Sequence, residues 1–358
     1  METELLNIES VSSEQKAAAL RKAGEIIREG GLVAFPTETV YGLGADALNA
    51  EAAAKIYAAK GRPSDNPLIV HIHDISQVYE IAEEVPDEAK AVMEKFWPGP
   101  LTIILNKKSC VPDGTTGGLH TVAIRMPSHP IARDFIRESG RMIAAPSANT
   151  SGRPSPTLAS HVYEDMQGRI PLILDGGAVG IGIESTIIDM TVNPPMVLRP
   201  GGLTLEEIAE VLPDVRMDPG LTVQKDVVPK APGMKYRHYA PKAPMWMALG
   251  TPDAQETQIR QGLQEAKGLR RGVLTVDEHC RDYDAEVVLS LGSRRDPEGM
   301  AAHLFDALRR FDEEQCEILF TETIASEGIG NAFMNRLRKA CGGKTLKGDN
   351  HGGTSISD

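Results

Sequence analysis

The stretch Leu32-Val33-Ala34-Phe35-Pro36-Thr37-Glu38-Thr39-Val40-Tyr41-Gly42-Leu43-Gly44 decides how the first half of the chain is read. Residues 32–35 are apolar and short, the mark of a buried strand, and Pro36 ends them. Just upstream, residues 13–29 read as a helix. Ser12 or Ser13 can cap it, Ala18, Leu20, Ala23, Ile26 and Ile27 form an apolar stripe, and Gly30-Gly31 stop it. Downstream, Gly42 and Gly44 are expected to break the chain before a second helix over residues 50–60. Helix, strand, turn and helix in succession place an α/β unit at the start of the chain.

Further strands are expected at residues 68–72, 101–105, 122–126, 142–145, 172–174, 186–190 and 196–198. Helices over 87–96, 130–138, 158–166 and 205–212 alternate with them, which extends the first α/β domain over residues 1–217. Strand order is not legible at this level. Residues 218–243 read as a linker, because Pro219, Pro229, Pro232 and Pro241 exclude a long helix and Gly220 and Gly233 loosen the backbone. A smaller α/β domain follows over 244–343, with strands near 245–249, 272–276, 287–290 and 317–320 and helices near 254–267, 297–311 and 332–340. The stretch 344–358, glycine-rich and polar, is expected to be frayed.

A length of 358 residues exceeds one ordinary domain, and 41% hydrophobic with 25% charged residues is a globular composition. A net charge of −12 opposes a whole surface adapted to nucleic acid, while leaving room for a small basic cleft. Cys110, Cys280, Cys316 and Cys341 lie far apart with no CxxC pair, which fits reduced thiols. The acidic start lacks the basic and apolar regions of a signal peptide, and no apolar run approaches roughly 20 residues, so a soluble cytoplasmic protein is expected.

In so acidic a chain, cations beside glycine and proline are informative. Lys60-Gly61-Arg62-Pro63-Ser64-Asp65-Asn66-Pro67 sets two cations and an amide in a stiffened loop, solvent-facing and suited to an anion; a solvated helix end with Lys60 on its dipole is the plainer alternative. Pro146-Ser147-Ala148-Asn149-Thr150-Ser151-Gly152-Arg153-Pro154-Ser155 follows a strand and precedes a helix, where α/β folds bind ligands. The alternative there is a polar connection with a helix cap at Ser155 or Thr157. The chain has no GxxxxGK[ST] loop, no kinase signatures, no HExxH helix and no GxSxG elbow. His71-Ile72-His73 puts two imidazoles on one strand face, but without accompanying cysteines or carboxylates it reads as ligand contact or core. Residues alone thus reach an anion-binding α/β enzyme.

Taken in order, Pro36 to Gly44, Lys60-Gly61-Arg62, Pro146-Ser147-Ala148-Asn149, Gly176-Gly177 through Glu184-Ser185-Thr186, and Leu198-Arg199-Pro200-Gly201 resemble the threonylcarbamoyl-AMP synthase family. Pro232-Gly233-Met234-Lys235-Tyr236-Arg237-His238-Tyr239-Ala240-Pro241 and residues 326–340 look like its two-domain Sua5 type, apart from Ala231 where serine is expected. The resemblance implies a YrdC-like N-terminal domain with a twisted mixed sheet and a smaller Rossmann-like C-terminal domain. It also implies synthesis of L-threonylcarbamoyladenylate from L-threonine, bicarbonate and ATP, with Mg²⁺ on the nucleotide. The product would pass to a threonylcarbamoyl transferase complex acting on tRNA, direct tRNA contact being left open.

By the family pattern, Lys60 and Arg62 are the catalytic cations. Arg62, Asn66, Thr121, Ser147, Asn149, Ser155, Arg199, Tyr236 and His238 correspond to nucleotide contacts. Thr39, His71, Arg125, Ser185 and the backbone at Ala145 correspond to threonine contacts, and no side chain is assigned to a metal. The aromatic and cationic linker is expected to close over the site. Two other readings compete: an RNA-binding or translation-associated protein with an anion-binding cleft, and a carbamoyl-phosphate-dependent transferase. The charge and the lack of an aromatic RNA-binding signature count against the first, and the lack of zinc-finger cysteine spacing and acylphosphatase-like segments against the second.

Overall fold

The computed structural model describes residues 1–221 and 238–346. Two compact units divide the chain: Met1–Ser151 with Ser155–Tyr236, and Gly152–Pro154 with Arg237–Asp358. The second domain therefore claims three residues of the 146–155 loop: the Ala240 amide donates to Gly152 O (3.0 Å) and Arg309 Nη2 to Pro154 O (2.7 Å).

In the first unit, β1 (Glu4–Asn7), β2 (Val33–Phe35), β3 (Gly42–Asp46), β4 (Ile69–His71), β5 (Leu101–Asn106) and β6 (Thr121–Arg125) join β7 (Ile143–Ala145), β8 (Leu172–Asp175), β9 (Thr186–Asp189), β10 (Met196–Arg199) and β11 (Arg216–Met217). They form one mixed sheet in the order β1-β8-β2-β3-β7-β4-β6-β5-β9-β10-β11. The helix Ser13–Arg28 begins with a capping box, in which Ser12 accepts from the Gln15 amide while Gln15 returns to the Ser12 amide. It packs with the helix Pro130–Ser139 so closely that a Cβ on Gly24 would lie 3.0 Å from Glu138 O. Together they bury Ile27, Phe35, Phe135 and Ile143 on one sheet face, each worth roughly 1.5–3 kcal/mol. Ala34, Leu43, Val70, Ile124 and Ile188 fill the larger core on the opposite face.

Two expectations fail here. Gly42 and Gly44 do not break the chain; they pair with Phe35 and Val33 inside β3. A Cβ on Gly44 would fall 2.7 Å from Ile143 Cγ2 and 3.0 Å from Phe35 Cε1, so the glycine marks a close approach within a sheet. β1 was not anticipated, because Glu-Leu-Leu-Asn has no alternating apolar pattern; it pairs in parallel with β8 at the sheet edge.

In the second unit, β12 (Met245–Met247), β13 (Arg271–Thr275), β14 (Val287–Ser290) and β15 (Ile318–Thr321) form an all-parallel sheet in the order β12-β15-β13-β14, as the Rossmann-like expectation has it. The helices Pro252–Glu265, Pro297–Glu313 and Ile329–Ala340 accompany it. Trp246, Ile259, Val273 and Phe320 belong to its core.

Candidate active site

Side chains alternate across a strand, so register decides which residues share a face. His71 pairs with Arg125, Ile69 with Ala123 and with Ala145, and Ala123 with Ile104. On that face Ile69, Ala123, Ile104, Ile187 and Leu198 make a small apolar cluster. The polar residues of the same face frame it: His71 and Arg125 at one end of their strands, Thr121 at the other. Four residue steps of strand separate Thr121 from Arg125, about 13 Å.

At the Arg125 end, the chain leaving β2 turns through Pro36 and lays Thr37, Glu38 and Thr39 against β6. Arg125, 4% exposed, donates from Nη1 to Thr39 Oγ1 (2.9 Å), from Nε to Gly99 O (3.4 Å), and sets Nη2 2.7 Å from Glu38 Oε1. Burial alone raises the Glu38 carboxyl, but the adjacent Arg125 guanidinium together with backbone amides at Glu38 and Ser128 outweighs it and holds the group below the usual carboxylate value. His71 places its ring edge-on to Phe35, with Nδ1 3.1 Å from Ile69 O. Burial, then the Arg125 charge, pushes its pKa down to about 3, so the imidazole is neutral at pH 7. His73 instead meets Gln77 Oε1 at 2.7 Å.

Across the sheet, Ser185 Oγ lies 2.8 Å from Thr102 Oγ1, and Arg199 donates from Nη2 to Ser185 O (2.9 Å) and Oγ (3.1 Å). Gly201 makes this possible: a Cβ there would sit 2.3 Å from Glu184 O and 2.4 Å from Thr186 N. The loop 176–185 joins the parts. Ile181 N donates to Glu38 O and Gly182 N to Thr39 O, while Glu184 Oε1 accepts from Ser155 Oγ at 2.6 Å. Ser155 is thus no helix cap.

Lys60 departs from expectation. It ends the helix Ala50–Lys60 but is 3% exposed, not solvent-facing. Its ammonium donates to Ser147 O and Asn149 O, both at 2.5 Å, with Asn149 Oδ1 at 3.4 Å, and Ser147 Oγ donates to Asn149 Oδ1. The helix C-terminus drives the ammonium into the carbonyl-rich turn after β7, fixing that turn from within. Arg62 is half-buried, with Nη2 on Asn66 O (3.1 Å) and Pro67 O (3.0 Å). Asn66, 1% exposed, starts the approach to β4, and β4 runs parallel to the β6 that Thr121 opens.

His238 belongs to the second unit, its ring 5.6 Å from Tyr239, which stacks on Phe305 at 5.0 Å. Tyr236 and most of the expected closing linker lie outside the described residues. Four residues of the site escaped the sequence reading as functional: Thr37, Glu38, Thr102 and Glu184. Three stand inside the motifs quoted; Thr102 could have been found only by its register opposite Arg125.

A mixed-sheet domain with cations and hydroxyls on one face, followed by a parallel four-stranded domain, is the frame of a two-domain ligand-activating enzyme. Residues 25–201 match a family model described as "Telomere recombination", and residues 203–342 one described as "Threonylcarbamoyl-AMP synthase, C-terminal domain". The chain is 51% identical over 332 residues to the threonylcarbamoyl-AMP synthase of Bacillus subtilis, covering 92% of this chain and 94% of the relative. To the Pyrococcus abyssi threonylcarbamoyl-AMP synthase it is 48% identical over 347 residues, covering 96% and 99%. A crystal structure of P. abyssi Sua5 complexed with L-threonine superposes with a TM-score of 0.90 at 47% identity, over 96% of this chain and 99% of that one. The chain belongs to the threonylcarbamoyl-AMP synthase family, ATP-using enzymes that transfer an adenylyl group.

Proposed function

We propose that this chain condenses L-threonine, bicarbonate and ATP into L-threonylcarbamoyladenylate, releasing pyrophosphate, for the modification of the adenosine beside the tRNA anticodon. The threonine amine adds to CO₂ with loss of a proton, or condenses with bicarbonate with loss of water, to give the carbamate. A carbamate oxygen then attacks the α-phosphorus, and pyrophosphate leaves. Such a transfer needs positioning and charge neutralisation more than a covalent nucleophile. The observation that supports the reading best is the single sheet face shared by His71, Arg125, Ala145 and Thr121.

In this reading Arg125 holds the threonine carboxylate as a bidentate pair, and Thr39, Ser185 and Ala145 O surround the amine and hydroxyl. Neutral His71 contributes an apolar, uncharged wall. Asn66, Thr121, Ser147, Asn149 and Ser155 line the nucleotide's path, and Arg62 and Arg199 face its phosphates. Lys60 acts by holding the turn that carries Ser147 and Asn149. A Mg²⁺ would enter with the nucleotide, held by its phosphate oxygens, and Arg62 and Arg199 would share the phosphate charge with it. Such an ion would supply charge neutralisation that those arginines would otherwise provide alone. The adenylate then passes to a threonylcarbamoyl transferase complex in the cytoplasm, and no described helix is long and apolar enough to cross a membrane.

The deciding experiment measures pyrophosphate release from ATP with threonine, bicarbonate and Mg²⁺ each omitted in turn. Release should need all three, with serine a poor substitute. A methyl group is worth only about 1–3 kcal/mol of discrimination, so weak serine turnover is allowed. ATP hydrolysis indifferent to threonine would sink the proposal.

A further inference from the structure

Hydrogen-bond directions beneath Arg125 can be assigned one by one. Thr37 Oγ1 lies 2.6 Å from Val40 O, and a carbonyl can only accept, so the Thr37 proton is committed there. The amides of Thr39 and Val40, each at 3.2 Å, share one of the two lone pairs of the same oxygen. The 2.9 Å contact between the Thr37 and Thr39 hydroxyls is therefore donated by Thr39. With its proton spent on Thr37, Thr39 meets Arg125 Nη1 as an acceptor, as a guanidinium requires. The chain runs Arg125 to Thr39 to Thr37 to Val40 O, and every proton points away from the cation.

Glu38 works on the same guanidinium from another side. Nε donates to Gly99 O and one Nη1 proton to Thr39 Oγ1, while Nη2 is ion-paired with Glu38 Oε1 at 2.7 Å without a hydrogen bond to it, which leaves N–H donors of both Nη1 and Nη2 for a ligand. A guanidinium held on three sides cannot swing, so the direction of its remaining donors is set before a ligand arrives.

We propose that Thr37 and Glu38 are positioning residues that give the pocket its polarity: Thr37 makes Thr39 an obligate acceptor, and Glu38 with Gly99 aims the free donors of Arg125. Arg125 then takes a carboxylate and Thr39 takes an N–H, so an α-amino acid fits in one orientation. Reversed, the carboxylate would meet an oxygen that has no proton to offer. This rests on the pocket holding threonine as proposed, and the test separates the two ideas.

Threonine binding to the full chain is measured by titration calorimetry, alongside KM and kcat from pyrophosphate release, for wild type, Thr37→Val, Thr37→Ser, Glu38→Gln and Glu38→Asp. Thr37→Val keeps the shape and removes the hydroxyl. It and Glu38→Gln should each weaken threonine binding about tenfold or more, as loss of a charge-assisted contact does. The KM for ATP should move less than about twofold. Thr37→Ser should recover most of the lost affinity, and Glu38→Asp should fall between wild type and Glu38→Gln. Should wild type fail to bind threonine, the pocket assignment falls, and this proposal with it. If wild type binds but Thr37→Val and Glu38→Gln bind equally well, only the positioning idea is overturned. Equal losses in Thr37→Ser and Thr37→Val also overturn it, since hydroxyl direction would then not be the cause. Thermal melting of each variant identifies any that fail to fold, and Glu38→Asp and Thr37→Ser then carry the test.

Discussion

Replacing Lys60 by methionine should destabilise the first domain. Methionine keeps most of the apolar stem and deletes the ammonium, which makes two 2.5 Å bonds to the carbonyls of Ser147 and Asn149. A hydrogen bond from a charged donor is worth about 1.5–3 kcal/mol, so the gross loss is roughly 3–6 kcal/mol. The ammonium no longer has to be desolvated and the side chain regains some freedom, which offsets part of this. A net loss of about 2–4 kcal/mol remains, a large share of the roughly 5–15 kcal/mol that holds a domain folded. For a domain of this size it corresponds to a fall in Tm of about 5–15 °C. The assay is thermal melting of the full chain without nucleotide, paired with pyrophosphate release. Both should fall, because the freed turn carries Ser147 and Asn149. A variant melting within about 2 °C of wild type but binding ATP weakly would refute the reasoning, making the ammonium a ligand group and not a brace. Arg62→Ala supplies the contrast: half-buried on its own loop, it should lose activity with less than about 1 kcal/mol of stability.

His71 titrates near 3 when folded, so the unfolded chain takes up a proton below about pH 6.5 that the native state refuses. Its contribution is present above pH 6.5 and drains away as pH falls toward 3, by up to about 1.4 kcal/mol per unit; His71→Gln should flatten that slope in urea titrations run from pH 6.5 down to 4.5. Gly201→Ala must push apart backbone atoms 2.3–2.4 Å from the new Cβ and should cost several kcal/mol, whereas Gly180→Ala, with nothing within 4 Å, should leave the melting temperature nearly unchanged. In the second unit, Glu322 is buried and receives Thr275, His279, Tyr283 and Arg294. Glu322→Ala would strand those donors and should cost about 3–5 kcal/mol, read by Trp246 fluorescence in a Trp97→Phe background.

How much of this was legible depended on whether a feature is local. The helix Ser13–Arg28 and its cap were readable because Ser12 and Gln15 are three residues apart. The β3 strand was not, since what Gly44 avoids is Ile143, nearly a hundred residues on. Lys60 looked like a solvated helix end because lysine is rarely buried without partners, and its partners lie 87 and 89 residues away. The Glu322 cluster spans four contributors from β13 to β15 with no short motif to announce it.

The site shows the same division at finer scale. Alternation along β6 already places Thr121, Ala123 and Arg125 on one face, so a nucleotide contact and a threonine contact could be assigned to one surface from sequence. What periodicity cannot give is the neighbouring register, which sets His71 against Arg125 and Thr102 opposite it. Nor can it give the loop 176–185, whose amides seize the carbonyls of Glu38 and Thr39 while its Glu184 takes Ser155 and its Ser185 meets Thr102 and Arg199. That loop ties the turn proposed to contact the amino acid to the residues proposed for the nucleotide. The close fit of Gly201 against residues 184–186 clamps its far end. The Gly201 clamp holds that loop in place, so Gly201→Ala should disturb threonine and nucleotide binding together, whereas loss of the Thr37 hydroxyl, which acts only through Thr39 and Arg125, should fall chiefly on threonine.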